Sequence, residues 1–177
     1  MRIRDPQALR ALAHPLRFDL VELLGMIGPA TAAECGRRLG QSQASCSFHL
    51  RQLAKYGFVA EARTDDTDQR KRFWRLVETD QTWDGEEHPA AAAELGRAVV
   101  EREAARVLGH LTADGERPRL SGLTVPLTPA ELDALWHAVH GLLEPFADRA
   151  RGTADVPADA AWTRLFLTAT PLADGQA

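Results

Sequence analysis

The sequence predicts an α+β fold in which a few strands follow a run of short helices. Three observations carry this. Four short, capped helical patterns fill residues 5–57, two strand-like stretches lie directly behind them across a polar tip, and two long helical patterns dominate the second half. Helices and strands gathered in separate runs belong to the α+β class.

Asp5-Pro6 opens the first helix, with Asp as N-cap and Pro where a missing N–H costs nothing. It carries Leu9 and Leu12 and ends near His14-Pro15, because a residue before Pro is pushed out of the helical region. The second helix, Pro15 to Leu24, sets Leu16, Leu20, Leu23 and Leu24 on one side, and Gly25 to Gly28 are read as its stop. Thr31 caps a third helix, with Glu34 as the capping-box partner, running to Leu39 and stopped by Gly40. Ser42 caps a fourth that ends at Gly57, with Cys46, Leu50 and Leu53 as its apolar stripe. Phe58–Arg63 and Lys71–Val77 read as strands joined by the turn-forming TDDTDQ. Behind them come an Ala-rich helix over 88–112, a strand up to Pro126 and a helix from Thr128 to about Ala150 kinked at Pro145. A last strand is expected over Trp162–Thr170.

Two short helices with a Gly-containing turn between them are a helix-turn-helix candidate, and a hairpin directly after the second one is a wing. The expected organisation is therefore a winged helix-turn-helix DNA-binding domain over 1–80. Residues 81–177 form a helix-rich accessory region with one or two strands, for dimerisation and a possible effector. The net charge of −4 hides a division that fits this: residues 1–76 carry +5 and residues 77–177 carry −9. One basic half beside an acidic one is expected where only one half meets phosphate. No stretch has the length and apolarity of a membrane span and the start, MRIRDPQALR, has no apolar signal core, so a cytoplasmic protein is expected. Two cysteines are too few for a disulfide framework. No Gly-rich phosphate loop, nucleophile elbow or carboxylate pair is present, so no enzyme and no cofactor are expected.

HPLRFDLVELL, then ATAAECGRRLGQSQASCSFHLRQLAKYGFV, then RKRFWRL resemble the ArsR-type winged-helix repressors. The likeness is greatest to the longer, metal-independent members with an extra C-terminal region, and it spans roughly residues 8–77. Its most specific parts are His-Pro-Leu-Arg and the Ser-x-His-Leu-x-x-Leu-x-x-x-Gly run of residues 47–57. The resemblance implies a dimeric repressor. It also brings two metal patterns to test. The Cys-x-Cys pair of many relatives is missing from Thr31–Cys35, and the C-terminal Asp-x-His and His-x-x-Glu set fails around Glu86, Glu87 and His88, where 99 is Val and 102 is Arg. No metal site is assigned. His137 and His140, one helical turn apart, make only a half-site.

A helix fits the major groove, where polar side chains near its N-terminus reach base edges. Ser42, Gln43, Ser45 and Ser47 are the candidate base-facing residues, with Gln able to bond adenine bidentately. Phe48 either meets a thymine methyl or sugar or packs beneath the wing. Arg51, Arg70, Lys71 and Arg72 are candidate phosphate contacts, although Asp65, Asp66 and Asp68 at the same tip oppose DNA. Cys35 and Cys46 share the core of the helix pair, where a thiol is usually a small hydrophobe rather than a redox switch. Trp136, His137 and His140 are candidates for an effector pocket. The expected partners are a palindromic double-stranded operator and a second copy of the chain, with the Ala-rich helix as seam through Leu95, Val99 and Leu108. Two readings compete with a repressor: a protein-docking winged helix without specific DNA binding, and a regulator that answers a small molecule held in the second half.

Overall fold

The computed structural model describes residues 3–62, 71–78, 87–112, 118–170 and 172. The helices α1 (Pro6–Leu12), α2 (Pro15–Ile27), α3 (Ala32–Leu39) and α4 (Gln43–Lys55) come first, with the two-residue strand β1 (Ala30–Thr31) between α2 and α3. Strands β2 (Val59–Ala62) and β3 (Phe73–Leu76) follow, then α5 (Pro89–Thr112) and α6 (Pro129–Arg151).

The helix starts are set by side chains that satisfy otherwise orphaned N–H groups. Asp5 accepts from Gln7 N at 2.8 Å, Thr31 from Glu34 N at 3.2 Å and Ser42 from Ser45 N at 3.1 Å. At α2 the cap is His14, whose ring Nδ1 accepts from Leu16 N at 3.2 Å. Helix α2 runs past the expected stop: Gly25 is helical and the chain turns only at Gly28. Glycine weakens a helix by about 1 kcal/mol but does not end one whose Leu16, Leu20, Leu23 and Leu24 are all buried. Helix α4 ends at Lys55, and Gly57, just past its Tyr56 cap, adopts φ +77°. Phe58 N donates to Leu53 O at 3.0 Å and Gly57 N to Ala54 O at 3.1 Å, a Schellman closure that swings the chain directly into the hairpin.

The sheet order is β1-β3-β2, antiparallel throughout, with Ala30 opposite Trp74 and Val59 opposite Leu76. β1 has too few residues to produce an alternating pattern. Among the described residues all three strands lie within the first 76. The stretches 119–126 and 162–170, expected as strands, are irregular, without ladder pairing among the described residues. Alternating polarity alone makes no strand without a neighbouring edge to bond. The α+β winged helix-turn-helix stands, followed by an accessory region whose regular elements among the described residues are the two long helices.

One hydrophobic cluster joins Leu9, Leu12, Leu20, Leu24, Leu50, Leu53, Phe58 and Trp74. It does not stop at residue 80. Ala91, Ala92 and Leu95 of α5 belong to it, and α5 packs on α1 of the same chain. Leu95, expected at a seam between copies, is thus fully buried within its own chain, while Leu108 is exposed. A charge network fastens the next turns. Arg102 donates to Asp19 at 2.7 Å and to Glu22, and Arg106 donates to Glu22 at 2.7 Å. The buried Glu103 receives Arg164 at 3.0 Å from beyond α6. Helix α6 itself has no buried residue.

Candidate nucleic-acid interface

The α3–α4 pair depends on one close approach. A Cβ on Gly36 would sit 2.6 Å from Gln41 O, so only glycine lets the turn between the helices fold back on α3. Gln41 N closes that turn by donating to Gly36 O at 2.8 Å. Nothing in the periodicity singled Gly36 out; the signal was a glycine inside a capped helix, one turn before a helix-stopping Gly40. Cys35 and Cys46 fill the space between the two helices and are wholly buried. Burial pushes the Cys35 thiol up to about 11, with Cys46 and Glu34 adding to it, and burial also raises Cys46. Both are therefore thiols at neutral pH, and thiols without thiolate character are poor redox sensors.

With Cys46, Leu50 and Leu53 turned inward, α4 presents Gln43, Ala44, Phe48 and Arg51 to solvent. Phe48 is 51% exposed and meets the His49 ring edge-on at 5.1 Å, so it does not pack beneath the wing. The serines differ in freedom. Ser42 uses its oxygen as the cap, Ser47 Oγ accepts from Arg51 Nη1 at 3.2 Å, and Ser45 is half-buried. Gln43 is exposed on the helix's first turn.

On the hairpin, Lys71 and Arg72 are exposed just before β3. Arg72 Nε lies 3.1 Å from Glu61 across the strand pair, and the guanidinium carbon stands 5.7 Å from the centre of the Trp74 ring. A surface ion pair of this kind contributes at most about 1 kcal/mol, so Arg72 is readily recruited by another anion. Arg70 and the acidic tip with Asp65, Asp66 and Asp68 lie outside the described residues.

The remaining candidates sit apart from this face. Trp136, His137 and His140 are all exposed on α6. Trp136 and His140 meet at 5.6 Å, and His137 Nδ1 is 2.7 Å from Asp133 O, an ordinary link within one helix. A cleft of about 500 Å³ lies between the end of α2, β3 and the end of α6, lined by Leu24, Leu76, Val77 and Ala150 among others. A smaller, shallow cleft of about 290 Å³ flanks α4, where Arg17 and Tyr56 meet α1. No three His, Cys, Asp or Glu side chains gather as a metal-ligand set among the described residues. Nor, among those residues, is any helix long and apolar enough to cross a membrane.

Comparison with known proteins agrees on the helix pair. A family model described as a helix-turn-helix domain matches residues 12–62, from the end of α1 to the end of β2. No curated protein matches the chain. Among solved structures, reduced HlyU from Vibrio cholerae is 22% identical over 54% of this chain and 82% of its own, at a TM-score of 0.35. A ZitR mutant from Lactococcus lactis is 17% identical over 79% of this chain and 88% of its own, at 0.36. A possible transcriptional regulator for arsenical resistance is 28% identical over 58% of this chain and 93% of its own, at 0.34. TM-scores this low transfer neither geometry nor ligand from those proteins to this chain.

Proposed function

We propose that this chain is a sequence-specific, DNA-binding transcriptional regulator, a dimeric repressor of the ArsR type acting on a palindromic operator. Residues 1–80 read the DNA, and residues 81–177 supply the dimer surface and house any response to an effector. The observation that carries this reading is the outer face of α4, where Gln43, Phe48 and Arg51 are exposed together, with the cations Lys71 and Arg72 exposed on the hairpin that follows. In the groove, Gln43 and Ser45 would meet base edges and Arg51 and the hairpin would hold phosphates. The protein needs no bound metal, cofactor or catalytic group for this role.

A second reading, a regulator that answers a small molecule, draws support from the cleft of about 500 Å³ where the end of α6 meets β3. A ligand there would touch both the hairpin and the accessory region. The decisive experiment is footprinting on genomic fragments from around the protein's own gene, repeated at several salt concentrations. A protected, twofold-symmetric site with steeply salt-dependent affinity is expected. Absence of any salt-dependent DNA binding would leave the chain as a protein-docking winged helix.

A further inference from the structure

Arg17 is the anomaly of the N-terminal half. It stands on the first turn of α2, half-buried, and its Nε is buried with no hydrogen-bond partner. Among the described residues no carboxylate pairs with it; burial lowers its pKa, offset in part by the Tyr56 phenol, and His14 and His49 lie within its field. Arg102, on α5, shows what this protein does elsewhere with a half-buried guanidinium: Asp19 and Glu22 both receive it. A desolvated cation without a counter-charge is costly to keep unless something supplies one.

What surrounds Arg17 is a set of donors. The shallow cleft of about 290 Å³ at its side chain is lined by Gln7 and Arg10 of α1, Gln52 of α4 and Tyr56, besides Arg17 itself. His49, on the same flank of α4, has a buried Nδ1 that is also unpaired, and its ring lies 4.4 Å from His14. No acid lines the cleft among the described residues; at its margin Asp5 caps Gln7 N at 2.8 Å and Glu94 lies 3.5 Å from Arg10 in an exposed pair. Two guanidinium groups, two amides and a phenol suit one chemical group, a tetrahedral oxyanion.

We propose that the cleft between α1, α2 and α4 is a phosphate-binding site in which Arg17 is the central ligand, aided by Arg10, Gln52 and Tyr56. The phosphate comes either from a DNA backbone lying along the flank of α4 or from a free phosphate-bearing molecule. The first source rests on the proposed DNA-binding role and the second does not. If DNA is the source, the cleft helps to fix the register of α4 in the groove from its flank.

The test uses the full chain, Arg17→Met, Arg17→Lys and Tyr56→Phe. Removing an unpaired half-buried charge should leave Arg17→Met at least as heat-stable as the parent, which a merely structural arginine would not allow. Against non-specific duplex DNA, Arg17→Met should flatten the slope of log affinity against log salt by about one, with Arg17→Lys in between. In calorimetry without DNA, inorganic phosphate should bind the parent saturably and not Arg17→Met if the source is a free molecule. Loss in either arm supports the site and identifies its source. If the parent binds no DNA, the proposed function fails and the phosphate arm alone decides this site. An unchanged salt slope with no saturable phosphate binding, or a destabilised Arg17→Met that binds both like the parent, overturns the proposal.

Discussion

At the scale of single residues, α4 divides its labour by position around the helix. Gln43 is exposed and uncommitted, whereas Arg72 is held loosely by Glu61. Replacing Gln43 with Ala should change which sequence is preferred, at about 1–3 kcal/mol for a lost base contact. Arg72→Ala should weaken all DNA alike and reduce the salt dependence. Competition binding on operator and random duplex separates the two, and identical behaviour would refute the division. The histidine pair makes a second prediction. His14 must keep Nδ1 unprotonated to cap α2; burial and then Arg17 depress His14, and burial, the His14 ring and Arg17 depress His49, below their ordinary 6.5. A depressed folded-state value means that the unfolded chain binds protons first as pH falls. Stability should therefore be complete above pH 6.5 and be lost as pH drops from there through the lowered folded values. Urea midpoints across this range should fall in the parent and fall less in His49→Gln. A midpoint that rises on acidification would contradict the assignment.

At the scale of elements, the readable parts were those governed by local chemistry. Caps at Asp5, Thr31 and Ser42 and the left-handed Gly57 act within a few residues, so helix starts and the entry to the hairpin were legible from the sequence. The two-residue β1 and the persistence of α2 through Gly25 depend on partners elsewhere in the chain, Trp74 and the buried leucines, and were not. The exposed face of α4 was legible because its buried stripe is narrow. The Arg17 cleft was not, because it is assembled from three helices. The same limit applies to the boundary near residue 80. Periodicity marked 88–112 as a separate helix, but Ala91, Ala92 and Leu95 close the core over Leu9 and Leu12. A fragment ending at 80 exposes those leucines, whereas one ending at 112 keeps the cover and the Arg102 network. Fully buried leucines contribute about 1.5–3 kcal/mol each, a large share of an ordinary domain's stability. Thermal unfolding should find the 1–112 fragment cooperative and the 1–80 fragment molten or much less stable. Equal melting of the two would show α5 to be dispensable.

At the scale of the whole molecule, the accessory region shows apolar surface that a lone chain leaves wet. On α6, Leu132, Leu135, Trp136, Val139, Leu142, Leu143 and Phe146 recur at helical spacing along one stripe, yet Leu142 is 73% and Phe146 56% exposed. Leu123 and Trp162, on the flanking irregular segments, are also exposed, at 84% and 63%. Amphipathic helices of this length bury their stripe against something. A second copy satisfies the requirement, since it brings the same stripe and sets two α4 helices for the two halves of a palindrome. The α1–α5 face is already used inside the chain, which leaves α6 and the outer side of α5, with Val100, Leu108 and Leu111, as the proposed seam. Replacing both Leu135 and Leu142 with Asp separates this from a folding role. Neither side chain is buried in the single chain, so its melting should change little, by about 0.5 kcal/mol at exposed positions. Burying two carboxylates at a seam costs several kcal/mol, enough to shift dimer dissociation by about 100-fold or more. Operator affinity should fall by a comparable factor, because the second half-site loses its tethered partner. Sedimentation of parent and variant at matched concentration reads the first effect, and operator titration reads the second. If the parent is monomeric, or if the variant stays dimeric with full operator affinity, α6 does not hold the two recognition helices together.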